Sequence, residues 1–307
     1  AVFALAGTAL FLAVLSRISG LAPWIELQIS IWSSLLCVCV VLYLVDHLAK
    51  SLRPIAILTG VASEGAEVIR SVYPQALGED EEPPASPPPV GSASQVINHS
   101  GQSSVLLAVN TEGLFQLALR SRVVLEIVPQ VGDFVVHGAE LIRVYGDAPI
   151  AARQLQEAFA LGAERTLEQD PAFAFRIIVD IASKALSPAI NDPTTGVLAL
   201  DQLHLLLRLV GMQRLNNGCV RDAEGQPRLL YRTPNWEDFV HLGLTEIRQY
   251  GATSIQIARR MRALLEHLIK VLPAKRLAPL QEQLELLKRS VARSFPDPED
   301  RLQAEVS

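Results

Sequence analysis

Cysteine is scarce in this chain of 307 residues, and so is everything that usually announces a chemistry. Three cysteines occur; Cys37 and Cys39 share an apolar run and Cys219 stands alone, so neither a disulfide framework nor a zinc pattern is present. No phosphate-binding loop or dinucleotide glycine pattern is found. The six histidines (47, 99, 137, 204, 241 and 267) include no pair at metal-ligand spacing, and no nucleophile elbow accompanies them. No metal or other cofactor is expected. Asp201 and His204 lie one helical turn apart, a spacing that a plain hydrogen bond accounts for. No lysine falls between Lys50 and Lys184. Basic residues also form no stripe: Arg17 and Glu26 are the only charges in residues 1–45, leaving 26 basic and 31 acidic residues beyond them. A mildly acidic remainder excludes nucleic acid as an expected partner.

Apolar residues are abundant. They make up 50% of the chain, the mean hydropathy is +0.27, and the excess is concentrated at the start. Residues 1–16 and 27–45 carry no charge. A helix over 27–45 would rise about 28 Å at 1.5 Å per residue, close to the hydrocarbon thickness of a bilayer. Trp24, Trp32 and Tyr43 suit the interface. Two such runs in tandem, without a basic start or a small-residue cleavage site, argue against a signal peptide. The expectation is therefore transmembrane helices within 1–45, the first truncated at Ala1. Lys50, Arg53 and Arg70 follow the second run, whereas the connecting loop has only Arg17. The positive-inside rule then places the rest in the cytoplasm, under a multi-pass inner membrane.

Beyond the spans, residues 46–73 read as a juxtamembrane helix interrupted at Pro54. Residues 74–95 hold four consecutive acids and several prolines, the composition of a disordered loop. Residues 96–147 are strand-rich: V-L-L-A-V at 105–109 and V-V-L-E-I-V at 123–128, with turns at Gly132-Asp133 and Gly138. This part resembles half of a biotinyl- or lipoyl-type barrel-sandwich domain, but without the lysine a carrier needs. Residues 148–295 read as a helical domain, with helices at 150–168, 171–186, 193–211, 236–250, 254–272 and 275–294. A polar loop at 216–227 reads as a hairpin with Arg228–Arg232, and 296–307 read as a tail. The expected fold is a transmembrane α-helical N-terminus plus an α+β soluble domain, made of a small barrel-sandwich-like β subdomain and a C-terminal helical bundle.

The stretch 158–201 carries the polar residues of fixed geometry. Asp170 precedes Pro171 as an N-cap, Pro188 stops that helix, and Asp192 with Pro193 starts the next. Between them lies a tight corner, Ser187 to Asp192. Capping alone accounts for Asp192 and Asn191. The alternative is a pocket for a small polar ligand, with Arg165, Asp170, Arg176, Asp180, Ser187, Asn191, Asp192 and Thr195 as candidate binding residues. No catalytic residue is assigned.

The run G-A-E-R-T-L-E-Q-D-P-A-F-A-F-R-I-I-V-D-I-A-S-K-A-L-S-P-A-I-N-D-P-T-T resembles the signature of the bacterial predicted membrane proteins grouped as family 2254 of domains of unknown function. The resemblance extends from the apolar runs through V-G-D-F-V-V-H-G at 131–138 to I-R-Q-Y-G at 247–251. It implies transmembrane helices, with further spans before Ala1, followed by a soluble domain of no assigned activity. The expected function is that of an integral membrane protein whose cytoplasmic domain senses a small ligand or self-associates as a homo-oligomer in the lipid bilayer, modulating a membrane bundle. A membrane-anchored hydrolase or lyase using Asp192, Asp180 and Arg165, and a pure scaffold, are the alternatives.

Overall fold

The computed structural model describes residues 23–51, 53–78 and 91–305. The first expected span and most of the acidic proline-rich segment lie outside these. The chain divides into two units, Ala1–Ile57 and Leu58–Ser307.

The first unit contains α1 (Pro23–Ser51) and the start of α2 (Pro54–Val72). The expectation of membrane-crossing helices is corrected here: among the described residues, no helix is long and apolar enough to cross a membrane. Gln28, Ser30, Ser33 and Ser34 dilute the uncharged run. Its unbroken apolar part, 35–45, rises about 17 Å, short of the roughly 30 Å of a bilayer core. Among the described side chains of α1 many apolar ones are nonetheless exposed, Trp32 by 64%, Leu36 by 65% and Tyr43 by 68%.

The second unit is α+β. Its strands are β1 (Gln95–Asn98), β2 (Ser104–Val109), β3 (Val124–Ile127), β4 (Phe134–Val135), β5 (Glu140–Tyr145), β6 (Phe159–Gly162), β7 (Cys219–Arg221) and β8 (Pro227–Leu230). They form two sheets, ordered β1-β5-β3-β8-β7 and β4-β2-β6. Every pairing is antiparallel except β3 with β8, where Leu125 faces Leu229 and Glu126 faces Leu230. The barrel-sandwich-like expectation gives way to this mixed arrangement. The 216–232 hairpin, about a hundred residues downstream of β3, supplies two strands of the larger sheet. Helix α3 (Thr111–Ser121) covers it, and Leu106, Leu114, Ala118, Leu125, Ile142 and Leu229 make its core.

Residues 150–168 are not one helix. A single short turn, α4 (Ala152–Gln156), is followed by β6, in which Phe159 pairs with Val109 and Leu161 with Leu106. Leu155 and Phe159 have helical spacing, but pairing with β2 decides the outcome, and no local pattern encodes it.

The helical part comprises α5 (Pro171–Ala185), α6 (Pro193–Gly211), α7 (Trp236–Tyr250), α8 (Ile255–Val271), a 3-10 turn (Ala274–Arg276), α9 (Leu277–Ser294) and α10 (Pro298–Glu305). Local chemistry starts most of them. Asp170, Asp192 and Ser254 each accept a backbone N–H three residues on, and Asn235 with Asp238 forms a capping box. The expectation of a tail at 296–307 is corrected by α10, whose Ala304 is fully buried. The core runs through Ile69, Phe175, Leu203, Phe239, Leu265 and Leu287. Phe175 and Phe239 pack at 5.1 Å between ring centroids, and Tyr73 meets Phe239 edge-on at 6.4 Å. Gly65 of α2 lies so close to α5 that a Cβ there would stand 2.5 Å from that of Ala174.

A polar tie also joins α6 to α8. Arg260 donates to Asp201 Oδ1 at 2.5 Å and to His204 Nδ1 at 2.9 Å, which leaves His204 Nε2–H to donate to His267 Nδ1 at 2.7 Å. Asp201 and His204 are thus joined through Arg260. Burial, then Arg260 and His267, with Arg208 adding and Asp201 opposing, pushes the His204 pKa down to about 4 from 6.5. The unfolded chain therefore binds the extra proton first as pH falls. Stability is expected to decline between about pH 6.5 and pH 4 and to level off below. Urea midpoints across that window should show the decline in the native protein and a shallower one in His204→Gln; parallel profiles would rule His204 out as the source.

Candidate functional site

The helical core and the strands of the second unit meet at a cavity of about 320 Å³. Its wall draws on the end of α2 (Ser71, Val72) and Tyr73 just after it, the ends of β2 and β3 (Val109, Ile127), the turn 129–131, the segment 168–171 and the strand-to-helix link 231–234. Tyr73, Gln130, Asp170, Tyr231, Arg232 and Thr233 bring the polar groups.

Asp170 is the best fixed of these. It is 3% exposed, its Oδ1 accepts from Phe173 N at 3.1 Å as the α5 cap, and its Oδ2 accepts from Arg165 Nε at 2.5 Å. The Arg165 guanidinium also lies 4.9 Å from the centre of the Phe173 ring. A charged carboxylate this deeply buried is tolerated because it has both a cation and a backbone donor. The turn at Gly132 presses on the pair. Gly132 has φ +93°, and a Cβ there would run into Asp170 Oδ2 and stand 2.6 Å from Arg165 Nε. The next residue, Asp133, holds that turn by accepting from Gln130 N at 2.9 Å. Gln169 adds another link between strand and helix, its Oε1 accepting from Val109 N at 3.1 Å. Elsewhere in the lining, burial pushes the Tyr73 hydroxyl up to about 12, opposed by a hydrogen bond with Thr233 and aided by Tyr231 and Asp170. Tyr73 therefore stays a neutral phenol at physiological pH.

The eight candidate residues fall into three groups. Arg165 and Asp170 lie together, with Asp170 in the cavity wall. Arg176 and Asp180 form a second group on α5, joined by Glu246 of α7: Arg176 donates to Asp180 through Nε at 2.8 Å and to both Glu246 oxygens at 2.6 and 2.8 Å. This bidentate clamp, which draws the Glu246 pKa down, pins α5 to α7. Ser187, Asn191, Asp192 and Thr195 form the corner between α5 and α6. Both oxygens of Asp192 are occupied by Thr195, through N at 3.1 Å and Oγ1 at 2.6 Å, which lowers its pKa. Asn191 takes a left-handed φ of 49°, a conformation asparagine tolerates, and its N–H donates to Ser187 O at 2.9 Å. Ser187 Oγ donates to Lys184 O at 2.7 Å. The polar groups of this corner serve the corner itself.

The strand-side and loop residues of the cavity, Gln130, Tyr231, Arg232 and Thr233, were missed by sequence reasoning, and no spacing marks them. Glu237, His241 and Glu282 also converge, their ligand atoms within 4.8 Å of one another, at a partly exposed position on α7 and α9. The four-residue step from Glu237 to His241 was the available signal for that group, although Glu282 could not be placed.

The model of the family described as "Predicted membrane protein (DUF2254)" matches residues 2–267. This chain belongs to that family. Uncharacterised proteins of Mycobacterium bovis (Mb1321c) and Mycobacterium tuberculosis (Rv1290c) are each 29% identical over 291 residues, covering 91% of this chain and 55% of theirs. The chain thus spans about half the length of these curated relatives. No solved structure matches it. Family membership covers the V-G-D turn, the 158–195 run and α7, and brings no assigned activity with it.

Gly132→Ala is expected to cost at least about 1–2 kcal/mol, because the backbone there is left-handed and the added methyl meets the Arg165–Asp170 pair. Equilibrium unfolding in urea reads this directly, and an unchanged midpoint would show that the turn does not press on that pair.

Proposed function

We propose that the second unit of this family member is a ligand-binding regulatory module, with the cavity beside Asp170 as its site. The observation that carries the reading is the composition of the wall, in which helices and strands each contribute and polar groups of both kinds converge. At about 320 Å³ the space lies at the small end of ligand sites. Arg232 can hold an anionic or carbonyl group, while Asp170 and Glu168 can accept from hydroxyl or amino groups. The ligand is therefore a small polar metabolite carrying both kinds of group. Occupancy would tie the strand-bearing part to the helical core, which is how binding becomes a change in stability or shape.

A thermal-shift screen of the protein against amino acids, hydroxy acids and other small polar metabolites tests the site. A ligand that raises the melting midpoint of the native protein, with the rise largely lost in Arg232→Ala, supports it. A panel without effect, or an effect equal in Arg232→Ala, counts against it.

The family description gives α1 a part in this reading. Leu42, Tyr43, Leu44 and Val45 are each at least half exposed, and four consecutive helical residues span every side of the helix. Apolar surface of that extent needs cover. We propose that lipid supplies it, by association with α1. Flotation with phospholipid vesicles should carry the protein upward; an α1 that instead pairs copies of the chain in lipid-free solution, without flotation, would sink this part.

A further inference from the structure

We infer that Arg248 of α7, with Arg289 and Arg293 of α9, forms a site for a phosphate group at the seam between those helices. Arg248 is 9% exposed and lies against Gln283, which is 1% exposed. Its one hydrogen bond, from Nε to Gln283 Oε1, is long at 3.4 Å, and a neutral amide does not offset a charge. Arg248 makes no ion pair with any described residue. The Gln283 Nε2 is also buried and without a partner.

The surroundings add positive charge. Arg289 and Arg293 sit one helical turn apart on α9, both exposed and neither in an ion pair among the described residues. Burial, then Arg293 and Arg289, lower the Arg248 pKa from its usual value. Other half-buried guanidinia of this unit are matched to carboxylates (Arg165 to Asp170, Arg176 to Glu246, Arg228 to Asp222, Arg260 to Asp201) or donate to backbone carbonyls (Arg259 to Gln303 O, Arg276 to Gln213 O, Arg301 to Phe295 O). Arg248 has neither kind of partner among the described residues. A buried charge is normally paired, because leaving it alone forfeits its hydration without replacement. Three guanidinium forks offer more donors than the two oxygens of a carboxylate use, and they suit the several oxygens of a phosphate group. That group belongs either to free phosphate or to an anionic phospholipid headgroup.

Melting midpoints of the full chain in inorganic phosphate, against chloride at equal ionic strength, test the site. Arg248→Met and the double variant Arg289→Gln/Arg293→Gln serve as comparisons. The native midpoint is expected to rise with phosphate, with half-saturation about tenfold weaker in Arg248→Met, the loss of one charge-assisted contact, and at least as much weaker in the double variant, which loses two. Without phosphate both variants should melt at or above the native temperature, since unpaired like charges have been removed. Flotation with phosphatidylglycerol vesicles, reduced in the double variant beyond its reduction with neutral vesicles, identifies the headgroup as the source; a phosphate response without that difference identifies free phosphate. The site is overturned if phosphate does not move the native midpoint and flotation does not distinguish the double variant, or if the variants respond to phosphate as the native protein does. It is also overturned if Arg248→Met melts well below native without phosphate and the double variant keeps the native phosphate response.

Discussion

The buried contact of Asp170 with Arg165 is the constraint on which the second unit depends. One carboxylate caps α5, accepts from a guanidinium and receives the turn at Gly132. The turn belongs to the strand-rich stretch and the cap to the helical core, so this contact, together with that of Gln169 on Val109, fixes one against the other. Removing Arg165 would leave the carboxylate of Asp170, 3% exposed, without its cation in a place water scarcely reaches. The cavity lies beside this point, with Tyr73 and Arg232 also in its wall.

Other polar contacts divide the remaining work. The Arg176 clamp on Glu246 fixes α5 against α7, and the Arg260–His204–His267 network fixes α6 against α8. The corner from Ser187 to Asp192 satisfies its own hydrogen bonds and acts as a joint. These contacts are internally complete, whereas Gln283 Nε2 beside Arg248 has no partner among the described residues, and Arg232 in the cavity wall has only a long 3.5 Å contact with Asp133. Complete networks stabilise one structure, and incomplete ones are where a ligand can contribute.

What was legible in the sequence was local. Asp170-Pro171 and Asp192-Pro193 mark helix starts through the chemistry of adjacent residues, and the observed helices begin there. The α+β character of the second unit was equally visible in β-type runs followed by helical ones. What failed was decided at a distance. The segment 150–168 was read as one helix, yet β2 claims Phe159 as a strand partner. The hairpin at 219–230 was readable as a hairpin, but its parallel pairing with β3 was not. The apolar run at 27–45 suggested a span from its lack of charge, while its serines and glutamine leave too short an apolar stretch. For the site, Asp170 and Arg165 were found because the cap and its neighbour lie in one run. Tyr73, Arg232 and Thr233 come from segments that only folding brings together.

Amide hydrogen exchange of the Asp170→Asn protein tests most directly the claim that this one carboxylate joins strands to helices. Faster exchange is expected both at 130–134 and at 167–175, with the corner at 187–195 unchanged. Faster exchange confined to the first turn of α5 would contradict it, and would reduce Asp170 to a helix cap.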